Sequence, residues 1–269
     1  MDKPKIKDEE LLAKGIMPDI DCDRFSEGGW LKTSVYVPGE MALTIYVNGL
    51  ELVTMMCTPT KLTTLVLGFL YSEGIVKSMK DVASMRVCQE ESLADVKLST
   101  TEYKAPTWRT LTSGCGGGVV FASQAQKVES DLVFSPTGVL FLMKQLHEQS
   151  ELYRISGGVH TSALADTRNL LVVAEDIGRH NTLDRIQGEC LLRSLATKDR
   201  LLLSTGRLFS EMLLKAAKMK TPVVISQSSP TDRSISLGRD LGITVVGYAR
   251  ATRLSVYSHP ERIATVQVG

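Results

Sequence analysis

An alternation of short apolar runs with amphipathic segments, over residues 135–249, is the feature that most restricts the fold of this chain. Apolar runs of strand length recur near residues 160–165, 170–174, 200–204, 222–226 and 243–249. Helical spacing of apolar residues predicts helices that begin near residues 135, 178, 210 and 231. This order is typical of helices that cover a mixed sheet, so it predicts an α/β (α+β) sandwich.

The first half of the chain has a different pattern. Two β-rich runs, residues 41–47 and 50–57, flank Asn48-Gly49, which predicts a hairpin with a tight turn. Thr58-Pro59 predicts the cap of a helix that ends at Gly74, and short strands are expected near residues 82–88 and 94–98. We therefore divide the chain into an irregular N-terminal arm (1–32), a smaller β-rich domain (33–130) and an α/β domain (131–269).

Charge and hydropathy restrict the partners. The chain has 31 Lys+Arg and 30 Asp+Glu, so no overall positive field is available for nucleic acid or an anionic membrane. The charged N-terminus does not resemble a signal peptide, and no apolar run is long enough to span a bilayer. These features predict a cytoplasmic protein that binds an anion only through a local cluster.

The cysteines raise a separate question. The five are dispersed, without a CxxC pair or a zinc spacing, which predicts reduced thiols and no zinc site. Cys115 lies in TSGCGGG (residues 112–118), whose glycines predict a loop. The residues alone leave two interpretations open: an exposed, reactive thiol, or an incidental cysteine in a turn.

Three polar segments follow predicted strands and precede predicted helices: residues 174–181, 204–207 and 226–233. If their strands are parallel neighbours, the segments meet at one crevice, where Arg179, Arg207 and Arg233 suit phosphate or pyrophosphate. Each segment alone is equally well explained by turn or capping chemistry. No Walker P-loop or G-x-G-x-x-G motif is present.

Two further features have open interpretations. Residues 248–253 contain two arginines that suit a second phosphate and a tyrosine that suits base stacking, or they form a solvated strand end. His160 is either a ligand-facing donor or a structural histidine.

Five motifs together resemble the formate dehydrogenase accessory proteins (FdhD family), and the resemblance runs from about residue 33 to the C-terminus. They are GGVHTS (157–162), EDIGRHN (175–181), STGR (204–207), SSPT (228–231) and YSHP (257–260).

The resemblance implies a sulfurtransferase that accepts persulfide sulfur from a cysteine desulfurase. The sulfur passes to the molybdenum bis-molybdopterin guanine dinucleotide cofactor of formate dehydrogenase, which is bound as a substrate, with GDP as a fragment mimic. It also implies a homodimer, a cytidine deaminase-like three-layer fold, Cys115 as the sulfur-bearing residue, and guanine dinucleotide contacts at residues 248–253. With the polar segments, the expected cofactor-binding residues are His160, Asp176, Arg179, His180, Asn181, Gly206, Arg207, Ser228, Ser229, Tyr248, Ala249, Arg250, Ala251, Thr252 and Arg253.

The chain departs from the pattern in two places. Some members carry a CxxC in the loop, whereas position 118 is Gly here. The zinc ligands and HxE glutamate of the deaminases are absent, which argues against zinc deamination. Two alternatives remain: a cofactor-binding chaperone that carries no sulfur, and a nucleotide-hydrolysing or deaminating enzyme.

Overall fold

The computed structural model describes residues 8–100, 102–103, 110–111, 119–120 and 126–264. The elements of the N-terminal half are α1 (Asp8–Ala13), β1 (Ile16–Ser26), β2 (Gly29–Pro38), β3 (Met41–Val47), β4 (Leu50–Cys57), α2 (Leu62–Ser72), β5 (Val82–Cys88), β6 (Leu93–Leu98), β7 (Thr110–Leu111) and β8 (Val119–Val120). A short 3₁₀ helix, Met79–Asp81, precedes β5.

A four-stranded sheet in the order β4-β3-β6-β5 packs against α2 and forms the first hydrophobic core. The predicted hairpin is confirmed: Asn48 and Gly49 adopt φ angles of 50° and 80° between β3 and β4, as a primed turn requires. Leu65, Phe69 and Leu70 of α2 are buried against this sheet.

The prediction of an irregular arm over residues 1–32 is wrong for its described part. After α1, strands β1 and β2 pair antiparallel as a two-stranded ribbon. Most side chains of β1 are exposed on both faces of the ribbon, so the sequence lacks the apolar alternation that signals a half-buried strand.

The elements of the C-terminal half are α3 (Pro136–Gln149), α4 (Glu151–Ser156), β9 (His160–Ala165), β10 (Leu170–Asp176), α5 (Arg179–Leu192), β11 (Leu201–Ser204), α6 (Ser210–Lys218), β12 (Val223–Ser226), α7 (Asp232–Leu241), β13 (Thr244–Arg250) and β14 (Arg253–Val256). A second 3₁₀ helix, Pro260–Arg262, follows.

These strands form one sheet in the order β10-β9-β11-β12-β13-β14. Helix α3 packs on one face, and α5, α6 and α7 contribute to the core on the other. The mixed α/β sandwich is therefore confirmed, with three layers. Within the described residues, no helix combines the length and apolarity needed to cross a membrane.

The topology corrects the assumption that the three strands preceding the polar segments are direct neighbours. Strand β9 lies between β10 and β11 and is antiparallel to both, whereas β11, β12 and β13 are parallel. Strands β10 and β11 consequently run in the same direction, and their carboxyl ends still share an edge. Strand β14, which the sequence analysis missed, returns antiparallel to β13 after a two-residue turn.

Helices α2 and α5 cross at a very short distance, which joins the two halves of the chain. A Cβ atom added to Gly68 would lie 1.7 Å from the backbone oxygen of Asp184, and one added to Gly188 would lie 1.9 Å from that of Thr64. Each helix thus contributes a glycine that admits the backbone of the other. Tyr71 Oη also donates to the backbone oxygen of Lys218, at 3.2 Å.

We expect Gly68→Ala and Gly188→Ala each to lower the free energy of unfolding by about 3 kcal/mol, because the new methyl group overlaps a backbone carbonyl. Helix propensity alone predicts the opposite sign, since Ala favours a helix over Gly by about 1 kcal/mol. Urea denaturation measures the effect. Gly28→Ala is the matched control, because its nearest neighbouring atom would lie at 3.8 Å; equal stability of all three variants would contradict the close crossing.

Candidate functional site

One edge of the six-stranded sheet collects most of the predicted site residues. Strands β10, β11, β12 and β13 end at this edge, and β9 begins there at His160. Two hydrogen bonds join the start of β9 to the end of β11. The backbone N–H of Thr205 donates to the carbonyl of Thr161 at 2.9 Å, and the N–H of Thr161 donates to the Thr205 hydroxyl at 3.0 Å. The ends of four strands and the start of a fifth therefore lie at this edge.

The carboxylate of Asp176 organises the beginning of α5. Asp176 is fully buried, and its Oδ1 accepts bonds of 2.8 Å from the backbone N–H of Gly178 and from the side-chain amide of Asn181. Its Oδ2 accepts from Arg185, at 2.6 and 2.8 Å, and from the backbone N–H of Thr58 at 3.2 Å. We therefore assign Asp176 to the scaffold of the site, and its predicted contact with a ligand stays a prediction.

Arg185 and Asn181 extend this scaffold to the chain that leaves β4. Arg185 donates to the backbone oxygens of Thr58, Thr60 and Lys61, and Asn181 donates to that of Met56 at 2.8 Å. Asn181 thus uses its amide within the fold, as Asp176 uses its carboxylate.

These contacts explain why the helix cap predicted at Thr58-Pro59 is wrong. The hydroxyl of Thr58 accepts a bond of 3.1 Å from the backbone N–H of Ile177 instead of capping a helix. Helix α2 begins at Leu62, and Lys61 occupies the N-cap in a left-handed conformation with φ 44°. A tertiary contact has replaced the local one.

Gly206 is a buried residue of the edge and lies against Arg179 and His160. Its backbone N–H donates to Ser204 Oγ at 3.2 Å, and its carbonyl accepts from Ser226 Oγ at 2.7 Å. A Cβ at this position would lie 3.2 Å from the Cβ of Arg179 and 3.3 Å from His160 Nδ1. The absence of a side chain lets His160 and the stem of Arg179 pack directly on the peptide.

Two guanidinium groups near Gly206 lie over one aromatic ring. The Cζ of Arg179 is 4.3 Å from the centroid of the Phe209 ring, and the Cζ of Arg207 is 5.3 Å from it. Arg179 is buried, whereas Arg207 is exposed. Two of the three arginines predicted to share one crevice are therefore brought together, whereas Arg233 lies exposed in the first turn of α7.

The two histidines of the edge are held in the neutral form. Burial lowers the pKa of His160, and the positive charges of Arg179 and Arg207 lower it further. Burial also lowers the pKa of His180, whose Nε2 lies 3.1 Å from Glu211 Oε2. The contact with His180 lowers the pKa of Glu211, so near pH 7 a neutral imidazole faces a carboxylate.

The remaining predicted residues lie further along the same edge, on the segments after β12 and β13. Ser228 accepts a backbone bond of 3.1 Å from Tyr248, and Ser229 accepts one from Leu208 at the same distance. Ser228 and Ser229 are partly exposed.

The segment from Tyr248 to Arg253 contains the turn between β13 and β14. Tyr248 has a φ of 52°, and its ring centroid is 5.9 Å from the Cζ of Arg250. Tyr248, Arg250, Ala251, Thr252 and Arg253 are exposed. Ala249 is fully buried, and its predicted contact with a ligand stays a prediction.

Cys115 lies outside the described residues, so its predicted reactivity stays a prediction. Next to it in sequence, Leu111 of β7 pairs with Val119 of β8. Among the described cysteines, burial raises the pKa of Cys57 to about 12 and that of Cys190 to about 11, which keeps both as unreactive thiols. In the described ranges, no three His, Cys, Asp or Glu side chains are grouped as a metal site requires.

Two residues of the edge were missed by the sequence analysis. Glu211 contacts His180, which lies 31 positions away, and no local sequence pattern predicts this pairing. Phe209 did leave a signal, because an aromatic residue stands directly before a predicted helix, where Ser, Thr, Asp or Asn is preferred.

Comparisons with known proteins agree with this architecture. Residues 38–264 match the model of the FdhD/NarQ family. A relative from Bacillus subtilis, named sulfur carrier protein FdhD, is 40% identical over 253 residues, covering 90% of this chain and 96% of the relative. One with the same name from Staphylococcus aureus strain MRSA252 is 37% identical, covering 89% and 94%.

A solved structure extends the similarity to the fold. The crystal structure of a protein described as a formate dehydrogenase accessory protein, from Desulfotalea psychrophila, has a TM-score of 0.77 and 25% sequence identity. The alignment covers 91% of this chain and 98% of that one. The family model spans nearly the whole described chain, and the relatives match over most of their length. This chain therefore belongs to the FdhD/NarQ family.

Proposed function

We propose that this protein is a sulfur carrier for formate dehydrogenase maturation, with Cys115 as the sulfur-bearing residue and the cationic sheet edge as the cofactor-binding surface. The observation that carries the proposal is the cluster of Arg179, Arg207 and His160 around Gly206, in a chain whose relatives are named sulfur carriers. The proposed substrate is the molybdenum bis-molybdopterin guanine dinucleotide cofactor. The proposed partners are a cysteine desulfurase, formate dehydrogenase and a second copy of the chain.

The edge suits a dinucleotide because it offers fixed positive charge near one end and an aromatic ring further along. Guanidinium groups bind phosphate oxygens through charge-assisted, often bidentate bonds. Neighbouring strands lie about 4.8 Å apart, so the end of β13 is about 10 Å from that of β11. One extended ligand can therefore contact Arg207 and Tyr248 together.

In the first chemical step, the Cys115 thiolate attacks the outer sulfur of the desulfurase persulfide. The S–S bond of that persulfide breaks, the desulfurase cysteine leaves as a thiolate, and a Cys115 persulfide forms. This step changes no overall oxidation state.

In the second step, the outer sulfur passes to the substrate as sulfide. The S–S bond breaks, Cys115 returns as a thiolate, and the reduced metal of the accepting cofactor supplies the electron pair. No second cysteine is required, in agreement with Gly118 at the position where some family members carry one.

Cys115→Ala should eliminate sulfur loading, because the thiol that accepts the sulfur is removed. Incubation with a cysteine desulfurase and cysteine, followed by mass spectrometry of the intact protein, should show one added sulfur atom on the wild type and none on the variant. Cys22→Ala and Cys88→Ala are matched controls, since both cysteines are only partly buried, and each should load as the wild type does.

The same measurement separates the sulfur carrier from a chaperone that binds the cofactor without carrying sulfur. A wild-type protein that gains no sulfur, yet still binds GDP, would favour the chaperone.

Arg207→Ala, Arg179→Ala and Arg250→Ala should each weaken GDP binding by about tenfold or more, because each loses a charge-assisted contact to phosphate. Isothermal titration calorimetry measures the affinity, and melting temperatures show that the fold is retained. Arg168→Ala removes the same charge at the opposite edge of the sheet and should bind GDP normally. Unchanged affinity in all three edge variants would place the nucleotide elsewhere.

GDP binding should be accompanied by proton uptake near pH 6.5, the ordinary pKa of histidine. The free protein keeps the pKa of His160 below that value, and an added diphosphate would raise it by offsetting the nearby guanidinium charges. Calorimetry in two buffers of different ionisation enthalpy gives the number of protons taken up. His160→Gln should take up fewer, and an equal number in both proteins would show that His160 does not face the ligand.

A further inference from the structure

Phe209, on the cationic edge, does not follow the residue preference for a helix N-cap. It occupies the N-cap of α6, with φ −109° and ψ 165°, and forms no side-chain cap bond. Serine, threonine, aspartate or asparagine is preferred at this position because its side chain can accept a bond from an N–H of the first turn. A local rule that is broken without a local gain indicates a role at the level of the site.

The ring of Phe209 contacts two like charges from different elements. Arg179 begins α5 and Arg207 lies in the segment after β11, yet the Cζ atoms of both lie within 5.3 Å of the ring centroid. The face of an aromatic ring is electronegative, so it attracts each guanidinium group. This attraction offsets part of the repulsion between the two arginines.

The two arginines depend on the ring to different degrees. The stem of Arg179 is also held by Gly206, where an added Cβ would lie 3.2 Å from the Cβ and 3.3 Å from the Cδ of Arg179. Arg207 is exposed, and an exposed arginine samples many rotamers. The ring therefore restricts mainly Arg207, and a side chain ordered before binding loses less entropy when the ligand arrives.

We propose that Phe209 is a positioning residue that fixes Arg207 beside Arg179 for the adjacent phosphates of a diphosphate ligand. This inference rests on the proposed function, because it assigns the way in which the same edge binds its nucleotide. Phe209 itself contacts the arginines and takes no part in sulfur transfer.

The test is the GDP affinity of full-length variants, measured by isothermal titration calorimetry. Phe209→Leu keeps an apolar side chain but removes the ring face, and it should weaken GDP binding about tenfold. Phe209→Tyr keeps the ring and should bind within about twofold of the wild type. Phe25→Leu is the matched control, since this exposed phenylalanine lies on the ribbon, and its affinity should not change.

Phe209→Ser separates positioning from stability. The new hydroxyl can cap α6, so the melting temperature should be maintained while GDP binding weakens at least as much as in Phe209→Leu. A purely structural role for Phe209 predicts that stability and affinity fall together. Phe209→Ser also provides the measurement if Phe209→Leu does not fold.

A double-mutant cycle with Arg207 identifies the coupled partner. In the Arg207→Ala background, Phe209→Leu should cause a smaller loss than in the wild type, because the group that the ring positions is absent. Full affinity in Phe209→Leu, together with weak binding in Arg207→Ala, would overturn the role of Phe209 and leave the proposed function standing. Full affinity in every variant of Phe209, Arg179, Arg207 and Arg250 would instead remove the nucleotide from this edge.

Discussion

The buried ion pair between Asp176 and Arg185 is the interaction on which the rest of the structure depends. Both groups are almost completely removed from water, and each is surrounded by further polar partners: backbone and amide N–H groups for the carboxylate, carbonyl oxygens for the guanidinium. A buried pair is stable only with such additional bonds, because desolvation opposes the attraction of the two charges. The pair fixes the beginning of α5 to the chain after β4, and thereby places the first arginine of the edge.

The close crossing of α2 and α5 also attaches the first half of the chain to α5. Gly68 and Gly188 let the two backbones touch, and Asp184, at that crossing, accepts from Ser72 Oγ at 2.7 Å and pairs with Lys215 of α6. The β-rich half is thus attached to both α5 and α6, the helices that carry His180 and Glu211. The half of the chain that contains Cys115 is thus attached to the half that carries the cationic edge, which is compatible with the proposed sulfur-carrier function.

The cationic edge illustrates how neutral and charged groups are combined. Guanidinium groups remain charged even when partly buried, whereas the histidines beside them lose their protons. The edge therefore keeps its positive charge on the arginines, beside two imidazoles that are neutral near pH 7. Phe209 fits this arrangement, since an aromatic face holds cations together without adding a negative charge that would compete with phosphate.

Much of the architecture was determined by local sequence. The β3–β4 hairpin follows from Asn48-Gly49, the helix after Ser135 from a serine cap that accepts from Gly138, and the alternating elements from apolar period. The motifs in the polar segments resemble those of one protein family. These segments lie at the same edge of the sheet because the strands that precede them run in the same direction. Tertiary structure alone decided three matters: the insertion of β9 between β10 and β11, the conversion of Asp176 and Asn181 into scaffold, and the pairing of two arginines over Phe209. Each depends on contacts between residues far apart in the chain, and neither residue propensity nor spacing carries that information.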